Sequence, residues 1–334
     1  MPGIRQRGEE IRDFILTNIT DNKNIAVLTS ERFGISLPAV YKHINKLISD
    51  KELTRKSGQY LIKSKQYKYT YRINKTLSED AVWEKDIKKH FTGVPRNIKD
   101  IWVYGFLEIF NNAIEHSKGK NIDLLITQNK AFTSLSVCDD GIGIFYNIKQ
   151  KLNLPSEEDA LIELAKGKRT TDKSRHSGQG IFFTSKAFDD FVIISKGITY
   201  TADRQKTVNI KPGGAKFSTF VYMRLANNGG AVLKNIFDKF STEIPGDFDK
   251  TIVPINLSNT DDLVSRSQAR RILSGLELFK EVILDFQNIE NIGQAFADEI
   301  FRVFPNMNPG TRIIAQNANE NVQYMINRAI NTKL

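Results

Sequence analysis

Glu108 and Asn112 place a carboxylate and an amide one helical turn apart within residues 98–116, a segment that is otherwise largely apolar. Its apolar residues run nearly all the way round the predicted helix, so the helix should be buried. A spacing of four puts both polar side chains on one stripe. A carboxylate can orient a nucleophile, and an amide oxygen is a hard ligand for Mg²⁺. The alternative is that this stripe, which also contains Asn111 and Glu115, faces solvent.

A second candidate is the acidic and glycine-rich sequence of residues 139–143, Asp-Asp-Gly-Ile-Gly. It follows residues 132–137, whose alternation predicts a strand. The glycines permit a tight turn and a close approach of the backbone to a ligand. A calcium loop of the EF-hand type is disfavoured, because the twelfth position counted from Asp139 is Gln150 and not the required glutamate.

The third candidate is Ser177-Gly178-Gln179-Gly180, a glycine-rich turn that opens a predicted helix. Backbone N–H groups at a helix N-terminus can bind phosphate. Five cations precede the turn, namely Lys166, Lys168, Arg169, Lys173 and Arg175. They either close on phosphates or form a solvated basic loop.

In this order and spacing the three stretches resemble the GHKL superfamily of ATP-binding domains, which includes DNA gyrase, histidine kinases and anti-sigma kinases. The resemblance covers about residues 78–225 and implies ATP and Mg²⁺ as ligands. It implies that Glu108 is the catalytic glutamate and that Asn112 binds both the cofactor and the metal. The remaining ATP-binding positions that it implies are Asp139 for adenine, Gly141, Gly143, Gly178, Gly180 and Thr219. Thr219 lies in Phe-Ser-Thr-Phe, where Ser218 replaces the family's usual glycine.

Composition describes an ordinary soluble chain of 334 residues, with 40% hydrophobic and 26% charged residues. No apolar run approaches the roughly 20 residues of a membrane span, and the N-terminus lacks a secretory core, so we expect a cytoplasmic protein without a membrane partner. The single cysteine, Cys138, excludes an intrachain disulfide and is expected to be a buried thiol. The four histidines show no zinc-binding spacing.

The net charge of +10 is concentrated at the N-terminus, where residues 1–76 hold 15 Lys and Arg against 7 Asp and Glu. Helices are predicted over residues 4–18 and 25–33, and a third begins at Ser36. A short hairpin is predicted around Ser57-Gly58. The charge surplus suggests an anionic partner.

Three helices followed by a basic hairpin resemble the winged helix-turn-helix family, which implies DNA as a partner of residues 1–66. The candidate DNA contacts are Ser36, Tyr41, Lys42, Lys46, Arg55 and Lys56. The alternative is a winged helix used for protein contact or dimerisation.

From residue 249 onward, strands and helices alternate, which predicts a small α/β domain. Residues 281–304 resemble the STAS-like relatives of anti-sigma-factor antagonists, and this resemblance implies a protein partner. In that family a Ser or Thr before the second helix is often phosphorylated by a GHKL kinase. Here Gly293-Gln294-Ala295 offers no hydroxyl at that turn.

The predicted fold class is therefore multidomain α+β. A winged helix in residues 1–66 and a linker at 67–77 precede a GHKL α/β sandwich at 78–226, and a second linker at 227–248 precedes a STAS-like domain at 249–334. Our first hypothesis is a Mg²⁺-dependent ATPase switch coupled to DNA and partner binding, with an ATP-dependent homodimer expected by analogy. The alternatives are an anti-sigma-type serine/threonine kinase and a binding module for which ATP is only structural.

Overall fold

The computed structural model describes residues 4–19, 24–56, 58–167, 179–202, 217–244, 247–255 and 263–331. They form a multidomain α+β protein with a two-stranded, a six-stranded and a three-stranded sheet. None of the helices in these ranges is long and apolar enough to cross a membrane.

Three helices and a hairpin make up the N-terminal region, in agreement with the predicted elements. They are α1 (Ile4–Asn18), α2 (Ile25–Phe33), α3 (Leu37–Ser49), β1 (Leu53–Lys56) and β2 (Gln59–Ile62). Helix α2 ends at Gly34 in the left-handed conformation, which glycine adopts without strain. Helix α3 buries Val40, Ile44 and Leu47, which share one helix face. These residues join a separate small core that also includes Ala131 from the central region.

The central sheet has six antiparallel strands in the order β3-β4-β5-β8-β6-β7. Their bounds are β3 (Lys65–Arg72), β4 (Asn121–Gln128), β5 (Phe132–Asp139), β6 (Asp190–Ser195), β7 (Ile198–Thr201) and β8 (Thr219–Ala226). Strand β3 occupies most of the stretch that we assigned to a linker at 67–77. Its alternation predicts a strand, but its pairing partner β4 lies about 50 residues later, so local pattern did not place it in the sheet.

Helices cover one face of this sheet. They are α4 (Glu79–Val82), which continues to Phe91 through a π turn and a 3₁₀ turn, α5 (Arg96–His116), α6 (Ile144–Leu152), α7 (Glu157–Lys166) and α8 (Gly180–Ala187). Helix α5 contacts α8 and β5 and buries large apolar residues such as Trp102, Phe106 and Phe110. The predicted buried helix is therefore present, beginning two residues earlier at Arg96.

The C-terminal region contains a three-stranded parallel sheet in the order β11-β10-β9. Its elements are β9 (Lys250–Pro254), α10 (Arg266–Leu273), β10 (Glu281–Asp285), α11 (Gln294–Asp298), a π turn (Glu299–Val303), α12 (Phe304–Met307), β11 (Arg312–Gln316) and α13 (Glu320–Asn331). The preceding stretch, predicted as a linker, contains helix α9 (Leu233–Asp238). The central and C-terminal regions share one continuous hydrophobic core.

Candidate functional site

A cavity of about 410 Å³ opens among α5, α6, α7, α8 and the ends of β5 and β8. Six of the residues predicted to bind or act on a ligand line it, namely Glu108, Asn112, Asp139, Gly143, Gly180 and Thr219. They come from separate stretches of the chain. Asn111 also lines the cavity, whereas Glu115 lies exposed. Gly141 is not part of the lining, and Gly178 lies outside the described residues, as do Lys168, Arg169, Lys173 and Arg175.

The polar side of α5 presents both an amide and a carboxylate to the cavity. Asn112 Nδ2 donates a hydrogen bond of 2.6 Å to the backbone carbonyl of Glu108. This bond fixes which end of the amide is nitrogen, so Oδ1 is the end directed away from that carbonyl. An oxygen held this way suits a hard cation.

The Glu108 carboxylate packs against the first residue of α8. A Cβ on Gly180 would overlap Glu108 Oε2, so only glycine permits this approach. Tyr104, one turn before Glu108, lines the same wall. Burial raises the pKa of Tyr104, and the negative charge of Glu108 raises it further.

Asp139 lies at the end of β5, directly opposite Thr219, the first residue of β8. The backbone N–H of Gly141 donates to its Oδ1 over 3.0 Å, and the Thr219 side chain is also hydrogen-bonded to it. Burial nevertheless raises the pKa of Asp139 to about 6, against the lowering effect of these bonds. The carboxylate is thus mostly ionised at neutral pH and acts there as a hydrogen-bond acceptor.

Asp140, its neighbour, has a structural task. Its Oδ1 accepts from the backbone N–H of Lys120 over 2.6 Å and from that of Asn121 over 3.0 Å. Its Oδ2 accepts from Asn121 Nδ2 over 2.8 Å. The hydrogen bond from the Asn121 backbone is the main cause that lowers the pKa of Asp140. Asp140 therefore anchors the start of β4.

The two glycines after this aspartate pair are required by packing. A Cβ on Gly141 would overlap the backbone carbonyl of Ser117. Gly143 has a φ of 91°, and a Cβ there would lie 2.8 Å from Ser195 Oγ. Gly141 thus acts by letting the turn close on the end of α5, whereas Gly143 also borders the cavity.

Sequence reasoning missed several residues that line the cavity. Phe237 belongs to α9, within the predicted linker, and Asn147 of α6 donates to the backbone carbonyl of His116 over 3.1 Å. Glu163 lies on α7, before the glycine-rich turn. A buried polar residue on an otherwise apolar helix face was the only available signal for Asn147 and Glu163.

Lys166 does not join the predicted phosphate-facing cations. Its side chain is 3% exposed and its ammonium is 2.7 Å from Glu163 Oε1. The same ammonium donates to the backbone carbonyls of Arg271 and Ser274 in the C-terminal region. Lys166 therefore faces the neighbouring domain.

The candidate DNA contacts lie on the surface of the N-terminal region. Ser36, Tyr41, Lys42, Lys46, Arg55 and Lys56 are all exposed. Lys46 pairs with Asp50 at 2.6 Å, and the Arg55 guanidinium lies 5.7 Å from the centre of the Tyr60 ring. None of the six lines the cavity.

Cys138, at the end of β5, is half-buried, and burial raises the pKa of its thiol to about 12. It is therefore a protonated, weakly reactive thiol. Within the described ranges, no group of three or more His, Cys, Asp and Glu residues could hold a metal ion.

Comparison with known proteins identifies one family. Residues 268–323 match the family described as a STAS-like domain of unknown function (DUF4325). This match lies within the parallel C-terminal sheet and its helices, so the predicted STAS-like domain is confirmed there. No curated protein and no solved structure matches the chain significantly.

In the C-terminal domain Gly293 packs closely on Val264, since a Cβ on the glycine would lie 2.7 Å from Val264 Cα.

Proposed function

We propose that this chain is an ATP-binding regulatory protein whose central domain is a Mg²⁺-dependent ATPase of the GHKL type. The observation that carries the proposal is the convergence of Glu108, Asn112, Asp139, Gly143, Gly180 and Thr219 on one cavity. Its volume of about 410 Å³ lies within the range of small-molecule sites. These residues were chosen for a nucleotide from sequence alone.

The two carboxylates of the cavity have different tasks in this proposal. Asp139, ionised above pH 6, accepts a hydrogen bond from the exocyclic amino group of adenine and disfavours a carbonyl oxygen at that position. Glu108 lies against the start of α8, where backbone N–H groups suit the phosphates. From there it orients a water for attack on the γ-phosphate.

Mg²⁺ would be held by Asn112 Oδ1, whose direction is fixed by the bond from Nδ2 to the Glu108 carbonyl. When bound, the ion would neutralise the negative charge of the phosphate groups.

The N-terminal region is proposed to bind DNA as a winged helix. Its order of three helices and an antiparallel hairpin supports this assignment, as does the exposure of all six candidate contacts. From residue 53 to residue 77 the chain holds seven Lys or Arg and no acidic residue, and this charge favours a polyanion.

A second candidate function is a serine/threonine kinase of the anti-sigma type. The observation that favours it is the shared core of the cavity-bearing domain and a STAS-like domain, a pairing that suits partner-switching proteins. The chain's own Gly293-Gln294-Ala295 turn has no hydroxyl, so the acceptor would be a separate protein.

The deciding experiment follows the γ-phosphate. Purified protein is incubated with Mg²⁺ and γ-labelled ATP beside Glu108→Ala and Asp139→Ala, and label is measured in free phosphate and on protein. Glu115→Ala is the matched control, because it removes an exposed glutamate from the same helix. We expect free phosphate from the wild type and the control only.

Label on an added partner protein would instead favour the kinase. Failure of the wild type to bind ATP, measured by calorimetry, would exclude both functions. Molecular mass measured with and without ATP tests the homodimer.

A further inference from the structure

Helix α7 lies between the cavity and the C-terminal domain. Every residue from 159 to 166 is buried, so the helix has no solvent face in this stretch. Glu163 and Leu164 line the cavity, whereas the helix also packs on β9 of the C-terminal sheet. A ligand in the cavity and the C-terminal domain therefore contact the same helix.

A buried ion pair lies on this helix and connects its cavity side to the C-terminal domain. Glu163 Oε1 and Lys166 Nζ are 2.7 Å apart, and their side chains are 5% and 3% exposed. The ammonium also donates to the carbonyl of Ser274 over 2.7 Å and to that of Arg271 over 3.2 Å. Both carbonyls lie at the C-terminal end of α10, where the helix dipole favours a cation. An ammonium has three donors, and these three acceptors can use all of them.

Two further contacts fix α7 to the same domain. Arg271 Nε donates to Asp159 Oδ1 over 2.8 Å, and Asp159 is itself the residue that completes the N-terminal capping box of α7. At the other end of the helix, the Thr251 hydroxyl on β9 donates to the backbone carbonyl of Lys166 over 3.0 Å. Both ends of α7 are therefore held by the C-terminal domain.

We infer that the C-terminal domain controls the cavity through two links between α7 and α10: the chain of contacts from Glu163 to Lys166 and on to the end of α10, and the bond between Asp159 and Arg271. Glu163 acts as a positioning residue. It cannot move without breaking a buried ion pair, which is strongly unfavourable. Lys166 cannot move together with Glu163 without breaking its hydrogen bonds to the carbonyls of Arg271 and Ser274. A ligand that shifts Glu163 thus shifts α10, and by reciprocity a partner that shifts α10 changes affinity in the cavity. This inference rests on the proposed nucleotide site.

The test is amide hydrogen exchange on the full chain, with and without Mg²⁺ and ATP. In the wild type, ATP should slow exchange at residues 139–147 beside the cavity and, by at least about threefold, at residues 266–276. Lys166→Met should keep the first effect and lose the second. Lys250→Met is the matched control, because Lys250 pairs with Glu281 at 2.8 Å within the C-terminal sheet. It should keep both effects.

Arg271→Ala is the second variant, for use should Lys166→Met fail to fold, since the Arg271 side chain is about half exposed. It removes the link to Asp159 and should at least halve the slowing at residues 266–276. Unchanged slowing there in either folded variant overturns the inference. Slowing at the cavity alone in the wild type also overturns it and leaves the nucleotide site intact. No slowing at either place overturns the nucleotide site as well.

Discussion

The N-terminal region and the body made of the central and C-terminal domains place their candidate residues in opposite environments. The six candidate DNA contacts are exposed on a small unit with its own core. The cavity residues are enclosed in a body whose single core runs through two domains. Surface contacts can change without cost to the fold, whereas enclosed polar groups influence both stability and binding.

The largest effect should come from breaking the shared core. The Phe248 ring contacts Phe182 and Phe183 of α8 and Phe279 of the C-terminal domain, with centroids 4.8 to 5.2 Å apart. Phe248→Ala should lower the free energy of unfolding by about 3–5 kcal/mol. Trp83 and Trp102 both lie in the central domain, so urea unfolding followed by tryptophan fluorescence reports on it.

Ile44→Ala in the N-terminal core is the matched comparison. It should leave the tryptophan transition in place while loosening α3. An unchanged tryptophan midpoint in Phe248→Ala would show that the two domains unfold independently.

Asp139→Asn should abolish ATP binding and raise the free energy of unfolding at pH 8. Because the pKa of Asp139 is raised to about 6 from 3.8, the folded state binds more protons than the unfolded state between these values. Ionisation of Asp139 therefore opposes folding above pH 6, and this cost disappears as the pH falls. The variant should be more stable than the wild type at pH 8 by about 2–3 kcal/mol and should not bind ATP.

Urea unfolding at pH 8 and pH 5 and calorimetric titration with ATP measure both effects. The stability gain should fall to about half at pH 5, which lies between the two pKa values, and vanish only below pH 3.8. Wild-type affinity for ATP should fall below pH 6. Asp140→Asn, at the exposed neighbour, should show no gain at pH 8. A destabilised Asp139→Asn at pH 8 would contradict this account.

On the exposed hairpin, removing positive charge should weaken DNA binding and leave ATP binding unchanged. Arg55→Gln with Lys56→Gln should reduce the slope of log K against log salt for duplex DNA by about 2, because each phosphate contact contributes about 0.9. ATP binding should not change. Lys85→Gln with Lys88→Gln, in the central domain, is the control pair. Equal slopes in the double variant and the wild type would argue against the hairpin as a DNA contact.

The smallest effect separates two serines that begin helices. Ser156 accepts a hydrogen bond from the backbone of Asp159 over 3.1 Å in a complete capping box, whereas the Ser36 side chain makes no capping bond. Ser156→Ala should cost about 1 kcal/mol of unfolding free energy, and Ser36→Ala less than about 0.5 kcal/mol. Thermal unfolding measures the stability loss of each variant. Equal losses would show that the capping bond of Ser156 does not stabilise α7.

Sequence predicted the helices and strands well, because their apolar periodicity is local information. The parallel C-terminal sheet and helix α5 follow from such patterns. Strand β3 was recognised, but its place in the sheet depends on a partner far along the chain. Phe237 and Glu163 line the cavity only because α9 and α7 fold back over it. Lys166 does not face the cavity, because its ammonium is hydrogen-bonded to the carbonyl of Arg271, 105 residues later in the chain. No local pattern contains these contacts.

Strand β5 connects the two environments. Phe132 at one end packs on the N-terminal core beside Ala131, and Asp139 at the other end borders the cavity. Its eight residues span about 24 Å, and hydrogen-bonded neighbours hold it on both sides. Such a strand cannot slide by one residue without turning its side chains to the opposite face. The strand therefore sets a fixed spacing between the three-helix unit, which packs on Phe132, and the carboxylate of Asp139 at the far end.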